Sequence, residues 1–110
     1  MPTDKRLEKI ERELAELRTE LAECVRTRTV QVVDNAGMTR AVLKVTADGP
    51  SLELLDEAGH YRAGLSALVG GSGLGLFDAA GKGRIRMGVP ADGPRLELLD
   101  AACKTVWRAP

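Results

Sequence analysis

The sequence predicts an α+β chain, with an N-terminal helix built for self-association followed by an antiparallel β-meander of four 22-residue repeats. Three observations predict it. The N-terminal apolar stripe has a 3.5-residue period, a 22-residue period runs through the remainder without drift, and apolar residues alternate within each repeat. The 110 residues suit one domain of ordinary size. The organisation read from them is a coiled-coil helix at 4–28 and a β-repeat domain at 29–110, with units at 30–51, 52–73, 74–95 and 96–110.

No Gly or Pro interrupts 4–28, and Leu, Glu, Arg, Lys and Ala dominate it, residues that cost little in a helix. Pro2, with Thr3 or Asp4 as the cap, supplies the start signal. Leu7, Leu14 and Leu21 take heptad position a, and Ile10, Leu17 and Cys24 take position d. The g residues Arg6 and Glu13 would then face the e residues Glu11 and Arg18 of a parallel neighbour with opposite sign. Leu at a with Ile at d leans toward three or four strands. Core-facing helices within one domain usually carry a wider stripe, about three positions in seven. A lone helix of this length is marginal in water, so the expected partner is a further copy of the chain.

The repeat is the strongest signal. Asp34, Asp56, Asp78 and Asp100 fall in register, as do Gly37, Gly59 and Gly81, with Cys103 in the fourth glycine position. Arg40, Arg62 and Arg84 keep the same step, and so do Gly49, Gly71 and Gly93. Asp-x-x-Gly suits a type I turn, in which Asp accepts local backbone bonds and Gly takes a positive φ. Before that turn runs a strand such as Leu52-Glu53-Leu54, Leu74-Gly75-Leu76 or Leu96-Glu97-Leu98. After it runs a second, such as Ala41 to Val45 or Ile85 to Val89. Asp48-Gly49 and Asp92-Gly93 then read as hairpin turns whose following prolines stop the ladder. Period two places Ala41, Leu43 and Val45 on one face with Ala63, Leu65, Ala67, Ile85, Met87 and Val89. Leu52, Leu54, Leu74, Leu76, Leu96 and Leu98 complete this expected core, and Arg40, Lys44, Arg62, Arg84 and Arg86 take the other face.

A small meander with one apolar face needs a cover. It closes into its own barrel, or it packs against copies of itself around the axis that a parallel coil would set. The second solution gives a rod, with a helix of ~35 Å and eight strands extending ~38 Å further. In this plan the chain resembles trimeric fibre proteins of phages and bacterial surfaces, in which a coiled coil leads into a β-prism or β-helix. It also resembles short bacterial repeat proteins with an Asp-x-x-Gly-x-x-Arg unit. The stretch Arg6-Leu7-Glu8-Lys9-Ile10-Glu11 is similar to the Arg-h-x-x-h-Glu signature of short trimeric coiled coils, h being apolar. These resemblances imply a homotrimer and no active-site residues.

Composition narrows the function classes. Sixteen Lys and Arg balance sixteen Asp and Glu, which removes the global attraction to nucleic acid or an anionic bilayer. Tyr61, Phe77 and Trp107 are the three aromatics, too few for a stacking platform. One His and two Cys do not assemble a zinc site, and no cofactor is implied. No targeting segment or membrane span is visible, so the cytoplasm is the default location, with a phage or surface particle as the other setting.

Individual residues carry bland readings more readily than chemical ones. The aspartate ladder suggests calcium, but each Asp already has a turn role and each unit offers one carboxylate there. Gly70 to Gly75 lacks the Lys-Ser/Thr of a phosphate loop and reads as tight packing or flexibility. His60 reads as an exposed turn residue, without an arranged set of groups around it. Cys24 reads as a small apolar residue on the coil axis, and Cys103 as the mark of a modified or frayed last turn. Arg40, Arg62 and Arg84 form either an anion-binding stripe or solvated pairs with Glu53, Glu97 and the turn aspartates. Trp107 reads as the closing residue of the β stack. The expected function is a non-enzymatic, self-assembling structural protein, a fibre-like scaffold, spacer or display rod. A protein partner at the rod ends is a further expectation, at the place where Cys103, Val106 and Trp107 break the pattern. The alternative is a β-module that binds a glycan or an anion. A hydrolase with a site between chains lacks an acid/base pair in this sequence.

Overall fold

The computed structural model describes residues 2–109. Helix α1 spans Pro2–Glu23. Eight strands follow: β1 Thr29–Val33, β2 Thr39–Thr46, β3 Gly49–Leu55, β4 Tyr61–Leu68, β5 Gly71–Phe77, β6 Gly83–Pro90, β7 Arg95–Leu99 and β8 Thr105–Ala109. They form one antiparallel sheet in sequence order, β1 through β8, and the two outer strands do not pair with each other. The α+β meander stands, and the closed single-chain barrel is replaced by an open sheet.

The helix is shorter at its C-terminal end than 4–28 predicts. Its last backbone bond runs from Cys24 N–H to the Glu20 carbonyl at 3.0 Å, so Cys24 lies just past the final turn. The reason is local: Val25, Thr27 and Thr29 are β-branched and disfavour a helix, which turns the chain toward β1. At the other end Thr3 and Asp4 lie within the first turn instead of capping it. Asp4 complements the positive end of the helix from there.

Four hairpins repeat one design. In each, the Asp carbonyl accepts the N–H of the residue three further on, at 3.0 Å, for Gly37, Gly59, Gly81 and Cys103. Those glycines take φ of 80°, 85° and 82°, and Cys103 takes 62°. The last turn is therefore formed like the others and not frayed, because its Asp cap supplies the same bonds despite the strained Cys103 backbone. Each hairpin also carries one bulge next to the turn, and the extra residues left out of the ladder are Arg40, Arg62, Arg84 and Val106.

Between hairpins the first two tips are tight, and the third, at Gly93, is open. Gly49 and Gly71 sit at φ 134° and 137° against the backbone of the neighbouring hairpin, at Ala67 and Val89 respectively. A Cβ on Gly71 would lie 2.6 Å from the Val89 carbonyl oxygen. Pro50 does not stop the ladder. It sits inside β3 opposite Val45, whereas Pro94 does precede its strand. The Gly70 to Gly75 run is one residue of a turn and most of β5, and its strand glycines Gly71, Gly73 and Gly75 serve close approach.

The molecule measures 76 × 35 × 20 Å with a radius of gyration of 21.4 Å, against about 13 Å for a compact chain of this length. Among the described residues, α1 packs against no strand.

Candidate functional site

The pleat sorts the strands into two unlike faces. On one, a row of paired residues crosses the whole sheet: Val30, Leu43, Leu52, Leu65, Leu74, Met87, Leu96 and Ala109. A second row runs beside it through Val32, Ala41, Leu54, Ala63, Leu76, Ile85, Leu98 and Trp107. Val45, Ala67 and Val89 extend the same face. Sixteen positions in two continuous rows are apolar, and nothing among the described residues covers them.

The residues expected to form a core are thus not enclosed by the isolated chain. Leu43, Val45, Leu54, Leu65, Leu76 and Met87 are exposed, and Leu52, Leu74, Leu96 and Leu98 are half-buried. Among the described residues Leu99 is the single buried apolar side chain. A one-layer sheet leaves its second side to solvent, which is the physical reason. Along α1, Leu7, Ile10, Leu14, Leu17 and Leu21 are exposed as well, and so is Cys24 beyond it. The chain exposes 8627 Å², whereas a compact monomer of this mass exposes about 5,900 Å². The excess, about 2,700 Å² per chain, is on the scale of an obligate interface.

The opposite face is charged and tightly held. The carboxylates of Asp34, Asp56, Asp78 and Asp100 each accept two backbone N–H groups through Oδ1, at 2.9–3.0 Å. In the first three, Oδ2 meets the guanidinium of Arg40, Arg62 or Arg84 at 3.6, 3.4 and 3.4 Å. Those carboxyls lie below their ordinary value of 3.8, chiefly because the N–H groups of Met38, His60 and Lys82 stabilise the anion, with the arginines adding to it. Each arginine also donates from Nε to a carbonyl of the next hairpin, on Leu55, Phe77 and Leu99. The bulge is what aims it there.

This arrangement redistributes the expected ion pairs. The turn aspartates do hold Arg40, Arg62 and Arg84, but Glu53 pairs with Lys44 at 3.1 Å, and Glu97 faces Arg95 and Arg108. Cross-strand neighbours reach the glutamates first, because Lys44 and Arg108 lie on adjoining strands. With their guanidinium groups engaged on carbonyls and carboxylates, the three arginines do not form an open anion stripe. Oδ1 of each turn aspartate is committed to two backbone N–H groups, and Oδ2 of Asp34, Asp56 and Asp78 faces an arginine rather than further carboxylates. Among the described residues no group of three or more His, Cys, Asp or Glu is placed to hold a metal.

His60 is an exposed turn residue with Nδ1 3.5 Å from Asp56 Oδ2. Cys24 and Cys103 are free and exposed. Tyr61 and Phe77 pair at 4.8 Å between ring centroids. Tyr61 lies over Gly64, and Phe77 lies over Gly75 and Gly83, so these rings seal glycine patches. Burial pushes the Tyr61 phenol above 10.0, with the Glu53 charge adding to it. The bulges, the arginine bonds to the next hairpin and these aromatic lids escape sequence reasoning, although the fixed 22-residue step of Arg is a visible trace of the first two.

The apolar face holds a groove of ≈ 480 Å³, lined by Leu65, Leu74, Met87, Val89, Leu96 and Ala109 among others, and a smaller one of ≈ 150 Å³ at Leu52, Leu54 and Ala63. Among the described residues, no helix is long and apolar enough to cross a membrane. No family model matches the chain. No curated protein matches it in sequence.

Proposed function

We propose that the chain is a non-enzymatic structural protein, a parallel homotrimeric rod that acts as a fibre-like scaffold, spacer or display module. The observation that carries this reading is the two-row apolar face, which runs without a break over all eight strands and has no cover among the described residues of its own chain. Burying such a face against copies of itself supplies the core that the single layer lacks. The helix needs the same remedy, since its Leu7, Ile10, Leu14, Leu17 and Leu21 stripe is open to solvent too. Parallel copies bring Arg6 to Glu11 and Glu13 to Arg18 across the coil, which favours equal heights for all copies. The sheets then meet level with level around one axis, as a β-prism. The stapled charged face turns outward, where its ion pairs tolerate water.

Small-angle scattering at micromolar concentration tests the rod. An elongated profile whose forward scattering corresponds to three chains of 11.8 kDa supports it. A compact particle near 13 Å would mean that one chain folds back to cover itself.

A further inference from the structure

We infer that Trp107 of one copy seats in the apolar groove beside Ala109 of the neighbouring copy, so that this contact closes the rod at the β8 end. The inference rests on the trimeric reading above and adds the side-chain pairing within it. Copies at equal height around an axis along the strand stack place each strand opposite the same strand of the next copy. In a closed ring the contact is heterologous, so one edge of a sheet meets the other edge of its neighbour. At every level a residue of the Val32 to Trp107 row therefore faces a residue of the Val30 to Ala109 row.

Under that pairing a small residue meets a large one in β2, β4 and β8, and two branched or long side chains meet at each of the other levels. In β2 and β4, Ala41 and Ala63 would meet Leu43 and Leu65, a small residue against a large one. In β8 the order inverts, with Trp107 against Ala109. The inversion coincides with the groove, whose lining includes Ala109, Met87 and Leu96 but not the Trp107 of the same chain. Trp107 itself is 49% exposed on a face that is otherwise aliphatic. A large flat ring on β8 and an open apolar groove that runs from β4 to Ala109 of β8 on the same surface are complementary halves of one contact at the β8 end.

Two measurements on the full chain test this. Trp107 is the single tryptophan, so its emission reports on this contact alone. In the wild-type oligomer the emission is blue-shifted and shielded from acrylamide, and it moves to that of solvated indole when the oligomer dissociates. The second measurement uses a Cys24→Ser, Cys103→Gly background. Chains carrying Trp107→Cys are co-refolded with chains carrying Ala109→Cys and oxidised with oxidised glutathione. The mixture forms an interchain disulfide, which requires Cβ atoms within about 4.5 Å, and neither variant alone does so. A trimeric mass with solvated indole emission overturns the inference and leaves the rod intact. Cross-linking of Trp107→Cys to itself overturns it too, since the tryptophans then meet each other. A monomeric mass for the wild-type chain overturns both readings.

Discussion

Arg84 donates from Nε to the Leu99 carbonyl at 2.7 Å, fifteen residues along the chain and one hairpin away. Arg40 and Arg62 make the same contact at the same offset with Leu55 and Phe77. The bulge that expels each arginine from its own ladder is therefore the device that ties one hairpin to the next. Arg84→Met keeps the stem and removes the donors. It is expected to cost about 1 kcal/mol, the scale of one charge-assisted bond in a half-exposed setting. Arg84→Lys should recover little of it, because an ammonium cannot span carbonyl and carboxylate as the guanidinium fork does. Urea unfolding of both variants checks this.

Acid should loosen the turns in a defined window. The carboxyls of Asp34, Asp56 and Asp78 are depressed below 3.8 in the fold, mainly by backbone N–H donors. A depressed folded value means that the stabilisation is fully present above the unfolded value and is lost as pH falls through the folded ones. The urea midpoint is thus expected to hold between neutral pH and about 4 and to drop below it. Asp56→Asn should flatten that drop, measured as midpoint against pH.

Cys103 occupies a left-handed turn position at φ 62° that glycine fills in the other three hairpins. Cys103→Gly is expected to stabilise the chain by about 1 kcal/mol, through relief of the Cβ clash. Gly59→Ala should destabilise it by a similar amount. Thermal melts of the two variants are expected to move in opposite directions, and a shift of the same sign in both would contradict the strain at this position.

Neighbouring glycines should differ sharply. Gly70 has open space where a Cβ would sit and no positive φ, whereas Gly71 combines φ 137° with a backbone contact to Val89 and Pro90. Gly70→Ala is expected within about 0.5 kcal/mol of the parent. Gly71→Ala should cost more than about 2 kcal/mol, since strain and collision add. Denaturant midpoints rank the pair.

Much of this architecture is legible in the sequence because the turn chemistry is local. Asp34 and Gly37 are three residues apart and bond to each other, so their spacing alone states the turn. The alternation from Leu52 to Leu54 likewise states a face. What escapes depends on contacts that no short window contains. The arginine staple spans fifteen residues, and a bulge beside each turn has no composition of its own. The ring of Tyr61 over Gly64 hides behind two ordinary strand residues. Leu99 is the one buried apolar side chain among those described, yet it stands on the charged side of its strand, past the register shift after Leu98. The predicted helix overshoots to Arg28 because Val25 and Thr27 weaken it without any Gly or Pro to mark the end.

The coil stripe gives a direct perturbation. Leu14→Lys places a charge at the middle a position, and assembly should then fail at concentrations where the parent stays oligomeric. A dilution series followed by Trp107 emission reads the shift.

The homotrimeric rod depends on the sheet being covered by further copies of the chain, and absolute mass from light scattering after size exclusion measures that cover. Three times 11.8 kDa is the expected result. A monodisperse mass of 11.8 kDa at micromolar concentration would contradict it, because two continuous apolar rows cannot stay open to water in a stable single layer.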